Sequence, residues 1–139
     1  MSEHYTTDVA LWAEKPADAL RRRAGNEIDW ENVAEEIEDA AKRVRDQIER
    51  RVVVLCEHLL KWQFQPEQRS GSWRSSIVEA RNRVARAVCN NPSLRSYPGE
   101  VLADAYADGR RQAEAEAGLM LPPVCPWTID QIVDHAFWP

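Results

Sequence analysis

The sequence predicts an all-α fold: a helical bundle of about four main helices, with one long central helix and a short C-terminal helix in a proline-rich tail. Three observations carry this. Residues 29–65 contain neither glycine nor proline. Apolar side chains recur at helical spacing through every long segment, and no stretch reads as a convincing strand. Glycine, proline and asparagine cluster where those segments end.

The segment TTDVALWAEKPADALRRRAG (6–25) opens on N-cap residues and closes at Gly25, as a helix would. Pro16 removes a backbone donor inside it, which predicts a kink or two short helices meeting there. Arg21, Arg22 and Arg23 then lie near the negative end of the dipole, where cations are stabilising without further role. Asp29 is the expected N-cap of the long helix, whose stripe is Val33, Ile37, Ala40, Ala41, Val44, Ile48, Val52, Leu55, Leu59 and Trp62. At ~1.5 Å per residue it runs about 50 Å, against a diameter near ~40 Å for a compact domain of this length. The helix therefore either bends or protrudes to meet a partner, most simply a second copy.

Through Ile48 the apolar residues form one stripe, but from Val52 to Phe64 they wrap around the helix. A helix apolar all round is surrounded. That half is either the central element of the core or sandwiched against a dimer mate. Pro66 closes the helix, RSGS turns the chain, and a third helix begins near Trp73 with Trp73, Ile77, Ala80, Val84, Ala87 and Val88 on one face. A fourth runs from about Pro98 to Ala117 and stops at Gly118. Its small residues Ala105, Gly109 and Ala113 leave a groove for close helix approach. In the tail, Thr128 with Gln131 three residues on has capping-box spacing, and Trp127, Phe137 and Trp138 are placed to pin the tail to the bundle.

A chain of 139 residues, 44% hydrophobic and 29% charged, fits one globular domain over residues 1–139. The longest apolar runs fall far short of a membrane span, and the N-terminus has no apolar signal core, so a cytoplasmic protein is expected. Cys56, Cys89 and Cys125 are widely spaced with no C-x-x-C pair. They read as reduced, mostly buried thiols rather than zinc ligands. The net charge of −5 argues against a general nucleic-acid coating protein, yet fifteen arginines stand against three lysines. Arginine's planar fork favours specific ion pairs or anion contacts.

The segments WENVAEEIEDA (30–40), HLLKWQFQPEQRSGSWR (58–74), NPSLR (91–95), AEAGL (115–119) and CPWTIDQIVDHAFWP (125–139) together resemble bacterial domain-of-unknown-function family 29, common in cyanobacteria and proteobacteria. The resemblance runs through nearly the whole chain in order. It implies an all-helical cytosolic protein and supplies no activity or catalytic residues. The chain departs from the family pattern at Pro16, where a helix former is usual, and at Ala117, where threonine is usual.

Three constellations could carry chemistry. Glu35, Glu36 and Glu38 with Glu57 and His58 have metal-ligand chemistry, but Glu38 and His58 lie about 30 Å apart on an unbroken helix. No metal site and no cofactor is expected from them. The helical wheel places Arg51, His58, Arg81 and Glu116 at or beside core-facing positions; with Glu38 they could form a buried polar network fixing helix register. Finally, Ser70 and Ser72 before a helix start could present backbone N–H groups to an anion, clamped by Lys61, Arg69 and Arg74. Residues 69–86 carry a local balance of +4, which admits a nucleic-acid backbone without favouring it. The plainer alternative is an ordinary N-cap with arginines paired to carboxylates.

The leading reading is a non-enzymatic helical interaction module that self-associates as a homodimer or larger homo-oligomer through the apolar half of the long helix and binds another macromolecule, such as a protein. The rival is an anion-binding or phosphoester-processing protein using residues 58–74. It requires His58, Lys61, Arg69, Ser72 and Arg74 to converge on an open pocket.

Overall fold

The structure, a computed structural model, describes residues 21–22 and 29–139. The described residues form five α-helices, α1 (Trp30–Phe64), α2 (Gly71–Asn90), α3 (Tyr97–Glu100), α4 (Leu102–Ala117) and α5 (Ile129–Val133), and contain no strand. The chain is all-α, as its periodicity predicts. Short 3-10 turns at Pro66–Gln68 and Pro92–Leu94 join α1 to α2 and α2 to α3. Both begin on proline, whose fixed φ suits a first turn and whose missing N–H ends the preceding helix. Apart from Arg21 and Arg22, which are helical, the expected first helix and its kink at Pro16 lie outside the described residues.

Local chemistry sets the helix ends. Asp29 caps α1 through a 3.0 Å hydrogen bond from the Asn32 N–H to its carboxylate. Ser70, not Ser72, caps α2: its Oγ accepts from the Trp73 N–H at 3.2 Å, so the helix starts two residues before the expected Trp73. The expected helix 98–117 is broken at Val101 into α3 and α4, with the Val101 N–H bonded back to Tyr97 and Gly99. Gly118 ends α4 in the left-handed conformation at φ 68°, its N–H on the Glu114 carbonyl. Thr128 and Gln131 close the predicted capping box at the start of α5.

The described residues divide into two compact units, residues 21–22 and 29–47 with 87–95, and residues 48–86 with 96–139. In the first, Ala34 and Ala41 are buried along α1 and Asn91 and Leu94 in the turn after α2. Arg21 bridges two carboxylates a pair of helical turns apart on α1, Glu31 at 3.0 Å and Glu38 at 2.7 Å. The Arg21 hydrogen bonds hold the Glu38 carboxyl below its ordinary range.

In the second unit, Val52, Leu55, Cys56, Leu59 and Leu60 of α1 are completely buried together with Ile77 of α2, Ala105 and Ala113 of α4 and Ile132 of α5. The apolar half of α1 is therefore the central element of this unit's own core. The chain itself covers most of this half, while Phe64 at its end stays 38% exposed. Gly109 brings α4 against α1 at backbone distance: a Cβ there would stand 2.8 Å from the Val53 carbonyl oxygen and 2.9 Å from the Glu57 nitrogen.

Candidate functional site

The residues around the α1–α2 turn are held by tryptophans and main-chain oxygens. Arg69 donates from Nε to the Trp62 carbonyl at 2.8 Å and from Nη2 to the Pro139 oxygen at 3.1 Å. The Trp62 carbonyl lies in the last turn of α1, where backbone acceptors lack helical partners and attract a cation. The same guanidinium lies 4.7 Å from the Trp62 ring centroid. Arg74, one turn into α2, sits 5.3 Å from both the Trp62 and Trp138 rings, and those two indoles are 5.0 Å apart. Arg81, two turns further, faces Trp138 at 5.2 Å. Residues 69, 74 and 81 thus place three guanidinium groups about two indoles.

Lys61 is turned away into protein. It is 6% exposed and its Nζ donates to Glu57 at 3.2 Å and Glu116 at 2.6 Å, with the Trp73 ring at 5.2 Å. The Glu57 spacing is the favourable i,i+4 arrangement on α1, while Glu116 ties α1 to the end of α4.

These positions give the residues of the expected anion site partners within the protein. Lys61 is committed to two carboxylates, Arg69 to two main-chain oxygens, and the Ser70 hydroxyl to the helix cap. Ser72 is exposed, and Arg74 is engaged by ring faces. His58 Nδ1 stands 2.9 Å from the Val54 carbonyl one turn back. Lys61 is buried against its two carboxylates, whereas Arg69 and Arg74 are exposed and share the Trp62 ring.

The buried polar network also differs from the sequence reading. Glu38 is exposed and belongs to the first unit, where Arg21 takes its carboxylate. Arg51 and His58 are only half-buried, and Glu116 is exposed on its Lys61 contact. Only Arg81 of the five is buried. Its acceptors are the carbonyls of Ile132 and Phe137, each at 2.8 Å, so it fastens the C-terminal tail to α2. Helical periodicity places Arg81 beside the apolar face of α2, but it does not show that neutral carbonyls from the tail serve in place of a carboxylate.

A second feature escaped the sequence reading. Beyond Gly118 the chain is pinned at two points: Glu114 Oε2 accepts from the Leu121 N–H at 2.8 Å, and the Tyr106 hydroxyl donates to the Pro122 carbonyl at 2.6 Å. Burial pushes the Tyr106 phenol up to about 12. Leu121 is buried, whereas Leu119, Met120 and Val124 are 44%, 94% and 77% exposed. The anchors hold a short apolar strip outward.

The Leu121 hydrogen bond, with Arg110 beside it at 3.2 Å, holds Glu114 below its ordinary pKa. A carboxyl whose folded pKa is depressed stabilises the fold above the unfolded value of about 4.3. That contribution is lost as pH falls through the folded value. Glu114→Gln is therefore expected to lower the urea midpoint at neutral pH. The gap to wild type should narrow between about pH 5 and about pH 3, and a gap independent of pH would contradict the assignment.

All three cysteines are free: Cys56 buried, Cys125 half-buried and Cys89 exposed. Burial pushes the Cys56 thiol up, away from thiolate chemistry. Among the described residues no group of three or more histidine, cysteine, aspartate or glutamate side chains is placed to hold a metal ion. Nor is any described helix long and apolar enough to cross a membrane.

Residues 4–138 match the family model described as Domain of unknown function DUF29. No curated protein matches. The crystal structure of an alpha-helical protein of unknown function from Rhodospirillum rubrum ATCC 11170 is similar, with a TM-score of 0.72 and 23% identity, over 94% of this chain and 89% of that one. At that identity the likeness is one of fold.

Proposed function

The chain belongs to the DUF29 family, and on that premise we propose that it is a cytoplasmic, non-enzymatic interaction module that self-associates through residues 119–124. The observation that carries this reading is the exposure of Leu119, Met120 and Val124 on a segment anchored by Glu114 and Tyr106. An apolar strip held in place loses little conformational freedom on association, so more of its burial appears as affinity. A second copy is the partner that fits best. From Leu119 to Trp127 the chain carries no acidic or basic side chain, and such a surface is complementary to itself, as a two-fold contact requires. The strip is preferred to the long helix as the contact surface, since most of the apolar half of α1 is covered by its own unit.

The non-enzymatic part of the reading rests on the commitment of Lys61, Arg69 and Ser70 to protein acceptors. Sedimentation equilibrium on the double variant Met120→Glu, Val124→Glu tests the strip. Both side chains are mostly exposed, so the folding stability of the protomer should stay within about 0.5 kcal/mol of wild type while the assembly dissociates. A variant that sediments identically to an associated wild type places the contact elsewhere, and a wild type monomeric at micromolar concentration removes self-association.

A further inference from the structure

The solvent side of α2 carries more positive charge than the protein neutralises. At about 3.6 residues per turn, Arg74, Ser75, Glu79, Asn82, Arg83 and Arg86 fall on one half of the helix surface, and all six are exposed. Ile77, Ala80 and Val84 are buried on the other half. Arg69 is exposed in the turn just before the helix. Against these four guanidinium groups stands one carboxylate, that of Glu79, which pairs with Arg83 at 3.1 Å. Among the described residues no carboxylate pairs with Arg69, Arg74 or Arg86.

Two of the four cations are held in place. Arg69 is fixed by two main-chain oxygens and the Trp62 ring, and Arg74 by the Trp62 and Trp138 rings. A cation already positioned loses little freedom when it meets an anion. Trp73 and Trp138 are half-buried, so part of each indole faces solvent beside Arg74. From Arg74 to Arg86 the helix rises ~18 Å, the length of roughly five nucleotides. Phosphates suit the arginine fork and bases suit the rings, the combination that holds single strands without reading their sequence. An acidic peptide would engage the cations and leave the rings unused. With a net charge of −5 the chain as a whole does not attract polyanions, which confines such a contact to this face.

We propose that the outward face of α2, with Arg69 ahead of it, binds single-stranded nucleic acid. Arg69, Arg74, Arg83 and Arg86 take the phosphates, and the exposed parts of Trp73 and Trp138 meet the bases.

The test uses the whole chain and a short fluorescein-labelled oligothymidylate, followed by anisotropy. Four phosphate contacts on a single strand predict that affinity falls about 50-fold as salt rises from about 50 to about 200 mM. Arg74→Gln with Arg86→Gln should weaken binding at the lower salt and reduce that fall to about 7-fold. Lys42→Gln with Arg43→Gln, the same charge change at exposed positions of α1, should leave both unchanged. No binding at the lower salt overturns the proposal, as does a control pair that loses as much affinity as the α2 pair, or an α2 pair that loses none. Polyglutamate competing as well as the oligonucleotide at equal charge would make the partner an acidic peptide and overturn it too. If replacing Arg74 disturbs folding, Arg83→Gln with Arg86→Gln carries the same expectation, both side chains lying away from the tail's rings.

Discussion

Gly109→Ala is expected to destabilise the protein by about 2–3 kcal/mol, although alanine is the better helix former by about 1 kcal/mol. The added methyl would lie 2.8 Å from the Val53 carbonyl oxygen, 2.9 Å from Cys56 Cβ and 2.9 Å from the Glu57 nitrogen. Two of these are backbone atoms in the middle of a 35-residue helix, so relief requires α4 to back away from α1. Separation would open gaps at Ala105 and Ala113, both completely buried, and close packing turns such gaps into lost contacts. Gly71→Ala is the internal control. Nothing lies within 4 Å of its added methyl, so the change should be neutral or stabilising by up to about 1 kcal/mol. Urea denaturation of both variants measures the contrast, and equal midpoints would remove the close approach of α4 to α1.

Lys61→Ala is expected to cost about 3 kcal/mol, the lower end of the range for breaking a buried ion pair. The loss comes chiefly from Glu57, which is 13% exposed and would be left without its cation, whereas Glu116 is 49% exposed and can turn to water. Adding Glu57→Gln should recover part of the loss, because the stranded charge is gone. A double-mutant cycle isolates the pair. Coupling of at least about 1 kcal/mol between positions 57 and 61 is the expected result, and additive effects would show that the pair contributes nothing beyond packing.

How far these features were legible depends on their range along the chain. Asp29, Pro66, Gly118 and the Thr128–Gln131 box act on backbone groups within a few residues, and each sets the boundary its chemistry implies. The break at Val101 was not legible. Pro98 and Gly99 weaken the helix there, but only the observed turn shows that it restarts at Leu102, two residues after Glu100. At the site, the Lys61–Glu57 pair follows from i,i+4 spacing, while Lys61–Glu116 spans 55 residues and Arg81–Ile132 spans 51. Periodicity marks a charged side chain as facing a core without naming its acceptor. It cannot anticipate that main-chain carbonyls of a short tail take Arg81 and Arg69.

The same reasoning explains why HLLKWQFQPEQRSGSWR reads as a site and folds as a junction. Its cations are spaced as an anion clamp would be, but Trp62, Trp73 and Trp138 supply ring faces, and Glu57, Glu116 and the Pro139 oxygen supply acceptors, before any ligand is needed. Among the described residues the most exposed large apolar side chains, Leu119, Met120 and Val124, lie beyond α4.

The most direct measurement of self-association through that surface is the methyl resonance of Met120, one of only two methionines in the chain, followed as the protein is diluted from millimolar to low micromolar concentration. The Met120 methyl is expected to shift with concentration, and Met120→Glu, Val124→Glu to abolish the concentration dependence of the Leu119 methyls. A Met120 methyl unchanged across that range, in a protein that sediments as one species throughout, would contradict it.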